Sequence, residues 1–181
     1  MTLHKRTTVK LAAAILLLAG AFVLIPSFAQ PPASNRGLAK LDLGGDKTIS
    51  IDYGRPDLKG RDLNAALKVG EVWRLGMNQA TVLKSDVDIY ACCGVIKKGN
   101  YSLWAKKTAE NKYELIFNSQ TGQWGTLHDP KKDVISVPLK VEASKDPVDK
   151  FTVTLAKKGD DAEARFAWGK ETLVMEFKAG K

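Results

Sequence analysis

The stretch EVWRLGMNQATVL, residues 71–83, sets a tryptophan, an arginine, an asparagine and a glutamine close together just before a strand pattern. Upstream, YGRPDLKGR adds Arg55, Lys59 and Arg61. A guanidinium presents a planar fork of donors, and a side-chain amide both donates and accepts. Arg55, Lys59, Arg61 and Arg74 with Asn78 and Gln79 therefore suit a carboxylate, a phosphate or sugar hydroxyls. Trp73 adds a flat apolar plate. A second cluster, FNSQTGQWGTLHD at 117–129, supplies Trp124 as a further stacking plate and His128 beside it. These nine side chains are the ligand-binding candidates.

Each also has a structural explanation. Arg55 precedes Pro56, which holds it extended, and Asp52 or Asp57 is within reach as an ion-pair partner. KGR at 59–61 fits a plain turn with Gly60 at positive φ. Tryptophan is more often core than platform. Asn78 suits a corner tied by its own backbone, and Trp124 suits a loop folded over the open end of a core. The density of these residues in one segment without strand periodicity, 54–80, is what argues for a site, because long irregular connections in compact domains tend to carry function.

Recognisable catalytic chemistry is harder to find. Asp52, Asp57, Glu71 and Asp129 are the acids nearest these clusters, and no two of them stand at a spacing that pairs carboxylates. His128 is the one histidine beyond the first thirty residues, so neither a metal site nor an acid–base site built on histidine is expected, and no cofactor is indicated. Cys92 and Cys93 are adjacent. Neighbours on a strand point to opposite faces, so the expectation is one buried, inert thiol rather than an ordinary bridge between the two.

The first thirty residues carry a different signal. His4, Lys5, Arg6 and Lys10 precede an unbroken apolar run, Leu11 to Ile25, and then Pro26 and SFAQ place small residues Ser27 and Ala29 at signal-peptidase spacing. A secretory signal peptide over 1–29 and a periplasmic or secreted destination follow, with no membrane association after cleavage; retention as an anchor is the competing reading, since the run is close to spanning length. Cleavage after Ala29 leaves 152 of the 181 residues, enough for one domain with a real core. The formal charge of +8 loses three lysine and arginine charges with the signal and falls to +5. These cations are scattered among acids, and no basic run is interleaved with aromatics, so nucleic acid is not an expected partner.

What must position the candidate residues is a set of strands. After a flexible lead-in, 30–37, period-two alternation recurs at Ile49–Tyr53, Tyr101–Leu103, Val137–Val141, Phe151–Leu155 and Leu173–Phe177, with further strands expected at 80–84, 113–118 and 163–168. GGDK at 44–47, KKGN at 97–100, KDP at 145–147 and KKGDD at 157–161 read as reversals. Pro138 demotes its strand to an edge or a bulge. DLNAALKVG, 62–70, is the one helical candidate, capped by Asp62 and ended by Gly70. The whole predicts an all-β domain over 38–181, an antiparallel β-sandwich or jelly-roll-like fold with one short helix.

DYGRP, KGR, GEVWRLGMNQAT, KKGNYSLWA, ELIFNSQTGQWG and FAWGKETLVMEF, in that order, resemble an exported bacterial family, the domain of unknown function numbered twenty-nine eleven, over about 38–178. The resemblance implies a β-sandwich-like domain and offers no cofactor. The family pattern reads WRTGANEAT where this chain has WRLGMNQAT, so Met77 stands for a small residue and Gln79 for an acid. The functional expectation is a non-catalytic, exported domain that binds a glycan or a small anionic ligand. A cell-envelope hydrolase and a structural, partner-binding domain are the alternatives.

Overall fold

A computed structural model describes residues 35–61 and 67–180. The signal segment, most of the lead-in and residues 62–66 of the expected helix lie outside the described residues; 67–70 form a bend and a turn. Ten strands follow in chain order: β1 (Arg36–Gly44), β2 (Lys47–Gly54), β3 (Val72–Trp73), β4 (Thr81–Ser85), β5 (Ile89–Ala91), β6 (Gly94–Ile96), β7 (Gly99–Ala109), β8 (Lys112–Asn118), β9 (Asp133–Lys158) and β10 (Asp161–Ala179). Arg36 and Gly37, expected in the lead-in, already belong to β1, paired with Gly54 and Tyr53.

All pairings are antiparallel, and the strands run in the order β1-β2-β4-β7-β8-β9-β10-β5-β6, with β3 added on β7. The fold is all-β and sandwich-like, because β9 leaves β8 after Leu139, continues along β10 and returns over β1 and β2. The alternation read from sequence fills the space between the layers. Ile49, Ile51, Leu103, Leu115, Phe117, Phe151, Phe166 and Leu173 are all buried in one continuous core. At about 25 cal/mol per Å² of apolar area removed from water, this shared core is the main force closing the sheet on itself.

Two expectations are corrected by β9 and β10. KDP at 145–147 does not reverse the chain. Ala143 pairs with Glu171 and Val148 pairs with Gly169, so Ser144 to Pro147 bulge out opposite Lys170 while the strand continues. The proline and aspartate that usually make a turn here make a bulge instead, because β10 holds the strand on both sides of it. The segments 163–168 and 173–177 are likewise one strand, kinked at Gly169, whose φ is +65°. Pro138, expected at an edge or bulge, faces Glu114 of β8 just outside the last β9–β10 pair, Lys140 with Val174, so β10 makes no ladder with it.

Cys92 and Cys93 also differ from expectation. They form the turn between β5 and β6, and both thiols are free and exposed. Strand alternation does not apply at a hairpin tip, so neither side chain is driven into the core. Among the described residues no helix is long and apolar enough to cross a membrane.

Candidate functional site

The irregular segment after β2 is held by backbone bonds rather than by periodic structure. Phe151 N–H donates to the Pro56 carbonyl at 3.0 Å, Leu58 N–H donates to Asp149 O at 2.5 Å, and Asp57 bridges Lys150. The segment thus lies along the middle of β9. Gly60 takes the positive φ expected of it, +73°, and Lys59 beside it has φ +50°. The turn brings Arg61 back, where its Nε donates to Leu58 O at 3.0 Å and its Nη2 donates to Asp57 O at 2.5 Å.

The segment 71–83 divides into a short strand and a tight corner. Val72 and Trp73 pair with Lys106 and Ala105 of β7. The corner then turns through Leu75 at φ +49°, Gly76 at +156° and Asn78 at +63°. Leu75 is fully buried and its carbonyl accepts from Thr81 Oγ1 at 2.6 Å, which holds a leucine in a region it rarely occupies. The corner packs directly on β2: a Cβ on Gly54 would fall 2.2 Å from the Met77 carbonyl oxygen. From the other side, Gln79 bridges Trp124, and Gly125 N–H donates to Asn78 O at 2.8 Å. Arg74 Nη1 contacts the same Asn78 carbonyl at 3.5 Å, and its chain lies over Gly125, where a Cβ would fall 2.3 Å from Arg74 Cδ.

Crossover, corner and β10 together enclose a cleft of about 320 Å³. Arg61, Arg74 and Asn78 are its polar walls, and Trp73 and Trp168 are its apolar ones. The two indoles stack with centroids 5.5 Å apart and planes 12° apart, and both meet the edge of buried Phe151. The Arg61 guanidinium lies over the Trp168 ring at 4.8 Å, a cation–π arrangement. Trp168 is 5 % exposed and its Nε1–H has no hydrogen-bond partner among the described residues. Among the described residues no carboxylate lines the cleft. Among the described residues neither Arg61 nor Arg74 is in an ion pair; their hydrogen bonds go to backbone carbonyls. Three acids of this region are engaged elsewhere: Asp52 with Arg36, Asp57 with Lys150 at 3.5 Å, and Glu71 with the Lys68 N–H at 2.9 Å.

Of the nine candidates, Arg61, Trp73, Arg74 and Asn78 thus share one cleft. Gln79 and Trp124 pair with each other next to it, Trp124 46 % exposed. Arg55 turns away and reaches Phe151 O and Thr152 Oγ1, both at 3.5 Å, rather than Asp52 or Asp57. Lys59 is exposed in its turn. His128 sits on the opposite face of β7 and β8: its Nε2 is 2.8 Å from Asp133 Oδ1 and its ring 4.9 Å from that of Trp104. Its carboxylate partner is Asp133 and not the neighbouring Asp129, which caps the turn Pro130–Lys132. Sequence reasoning placed Trp168 in a strand and missed it as a wall. The available signal was the glycine after it, since WG at a strand kink leaves the indole free to face along the sheet.

Residues 34–177 match the family model DUF2911, described as a protein of unknown function. The chain belongs to the DUF2911 family. No curated protein and no solved structure matches. Within this DUF2911 domain Met77 and Gln79, two residues apart, fall at different places. Met77 lines the cleft, and Gln79 lies in the bridge to Trp124.

Proposed function

We propose that this DUF2911 domain is an exported, non-catalytic binding module whose cleft takes a small anionic ligand with a flat or apolar face. One observation carries the reading: Arg61 and Arg74 share a cleft that no carboxylate lines among the described residues, and neither is in an ion pair with a described acid. Two guanidinium groups with donors to spare favour a carboxylate or phosphate held by bidentate bonds. The stacked indoles favour a planar or apolar body beside it. The volume is at the lower end of the range for small-molecule sites, which sets the size of the ligand held there. Export rests on the N-terminal charge, apolar run and small-residue pattern.

The hydrolase alternative needs a carboxylate at the site. Asp52, Asp57, Glu71 and Asp129 each serve a pair or a cap outside the cleft, so the arrangement supports holding a ligand over transforming one.

The test is titration of the purified protein with phosphate, citrate, benzoate and neutral sugars, read by tryptophan fluorescence and calorimetry. Saturable binding of anions that weakens with added salt, and is lost about tenfold or more in R74A and R61A at near-unchanged melting temperature, is the expected result. Equal binding by the variants, or binding of neutral sugars alone, overturns the proposal.

A further inference from the structure

A second cleft of about 570 Å³ adjoins the first, and Arg61 and Trp168 belong to both. Its origin is the irregularity between β9 and β10. Where Ser144 to Pro147 bulge opposite Lys170, the two strands separate, and Ala143, Pro147 and Gly169 become its walls. Leu58 from the crossover closes the side toward Gly169, its Cδ1 lying 3.2 Å from where a Cβ on Gly169 would stand.

The two clefts differ in charge. Among the described residues the first has two cations and no acid. Beyond the shared Arg61, the second adds Lys170 with Glu171 beside it, whose charges offset each other, and most of the remaining wall is apolar. An anionic group therefore gains more in the first cleft, where Arg74 joins Arg61, than in the second, while an uncharged body can leave water against the second cleft's Leu58, Ala143 and Pro147 without stranding a charge. Arg61 stands at the junction, exposed and, among the described residues, held by carbonyls and a ring face, and so can engage an anionic group while the atoms next to that group extend past Trp168.

We infer that the clefts form one two-compartment site for an amphipathic anion. Its charged end lies between Arg61 and Arg74, and its uncharged, largely apolar body lies in the second cleft against Leu58, Ala143 and Pro147. This rests on the binding reading above and names its ligand class.

The experiment titrates the purified protein with acetate, hexanoate and decanoate below their aggregation concentrations, by calorimetry. Affinity should rise about tenfold or more across the series, since each buried methylene adds to binding. A143W, at an exposed position on the second cleft's wall, should erase most of that rise while acetate affinity stays within about twofold. P147W is the second variant, and thermal melts check that both fold. R61A should weaken every member. A rise with chain length that is abolished by A143W or P147W supports the inference. Affinity that is flat with chain length, or a rise that survives both folded variants, overturns it. If the chain-length series is flat while R74A still weakens phosphate binding, only this inference fails; if no anion binds the wild type at all, the binding reading fails with it.

Discussion

Two aromatic patches on this molecule use similar residues and end in different states. On the outer face of β7 and β8, Trp104 Nε1 donates to Ser102 Oγ at 2.9 Å, and Gln123 Nε2 donates to the same hydroxyl at 2.9 Å. Asn118 Nδ2 donates to Asp129 O at 2.8 Å and Asp133 Oδ1 at 2.7 Å, and His128 meets the same carboxylate. Apart from Gln123 Oε1, these side chains are closed upon one another. At the Trp73–Trp168 cleft, among the described residues, the indole N–H of Trp168 is unpartnered and the guanidinium groups of Arg61 and Arg74 face no acid. A buried polar network with its bonds made rigidifies a fold, whereas one with donors to spare is suited to an outside partner. Residue type thus does not separate the two patches; hydrogen-bond closure does.

The largest effect expected is on the closed patch. Trp104→Ala removes a buried indole from the small cluster with Ala80 and Ile116 and should cost about 3–5 kcal/mol in denaturant unfolding, while the folded fraction keeps its anion affinity. Loss of affinity in that fraction would mean the patches are not independent. Next is Gly125→Ala, where a Cβ would meet Arg74 Cδ at 2.3 Å and the Asn78 carbonyl at 2.7 Å. Here stability should fall by about 1–3 kcal/mol and binding should weaken together with it, measured on the same samples.

Arg74→Ala should instead separate the two quantities, with affinity for phosphate down about tenfold or more and the melting temperature nearly unchanged. An unfolded R74A would place the open cleft among the structural patches. The smallest effect calibrates what paired surface charges do. Glu176 is bonded by Lys140 at 2.6 Å and Lys158 at 2.8 Å, and these lysines hold its carboxyl down to about 2. A depressed carboxylate contributes stability above its ordinary range, and that contribution is lost as pH falls from about 4.5 toward 2. Melting curves of Glu176→Gln should therefore lie slightly below wild type at pH 7 and converge with it near pH 2, in contrast to the cleft arginines, whose removal should leave stability level across that range.

The strands were legible because alternation has a local cause: a strand puts every second side chain on one face, so a two-layer core writes itself into the spacing. Ile49–Tyr53, Phe151–Leu155 and Leu173–Phe177 show it directly. Strand continuity was not legible. KDP at 145–147 has turn chemistry, and only pairing with β10 on either side makes it a bulge. The cysteine pair was misjudged for a related reason, since a two-residue hairpin tip cancels the alternation on which burial was argued. At the candidate site, Arg61, Trp73, Arg74 and Asn78, all from the cation- and amide-dense segment 54–80, do converge on one cleft. Arg55 and His128 were drawn away by the Phe151 carbonyl and Thr152 and by Asp133, partners distant or out of register in the chain.

By itself, the amino-acid order determined the class of fold, the family and the segment where unusual side chains gather. All of these depend on interactions between residues close in the chain or on a repeated spacing. Which guanidinium groups stay unpaired, that Trp168 stacks on Trp73, and that a bulge opens a second cleft beside the first were decided only in three dimensions. A hydrogen bond goes to whichever acceptor the packed core brings within about 3 Å, and that acceptor is often a hundred residues away along the chain.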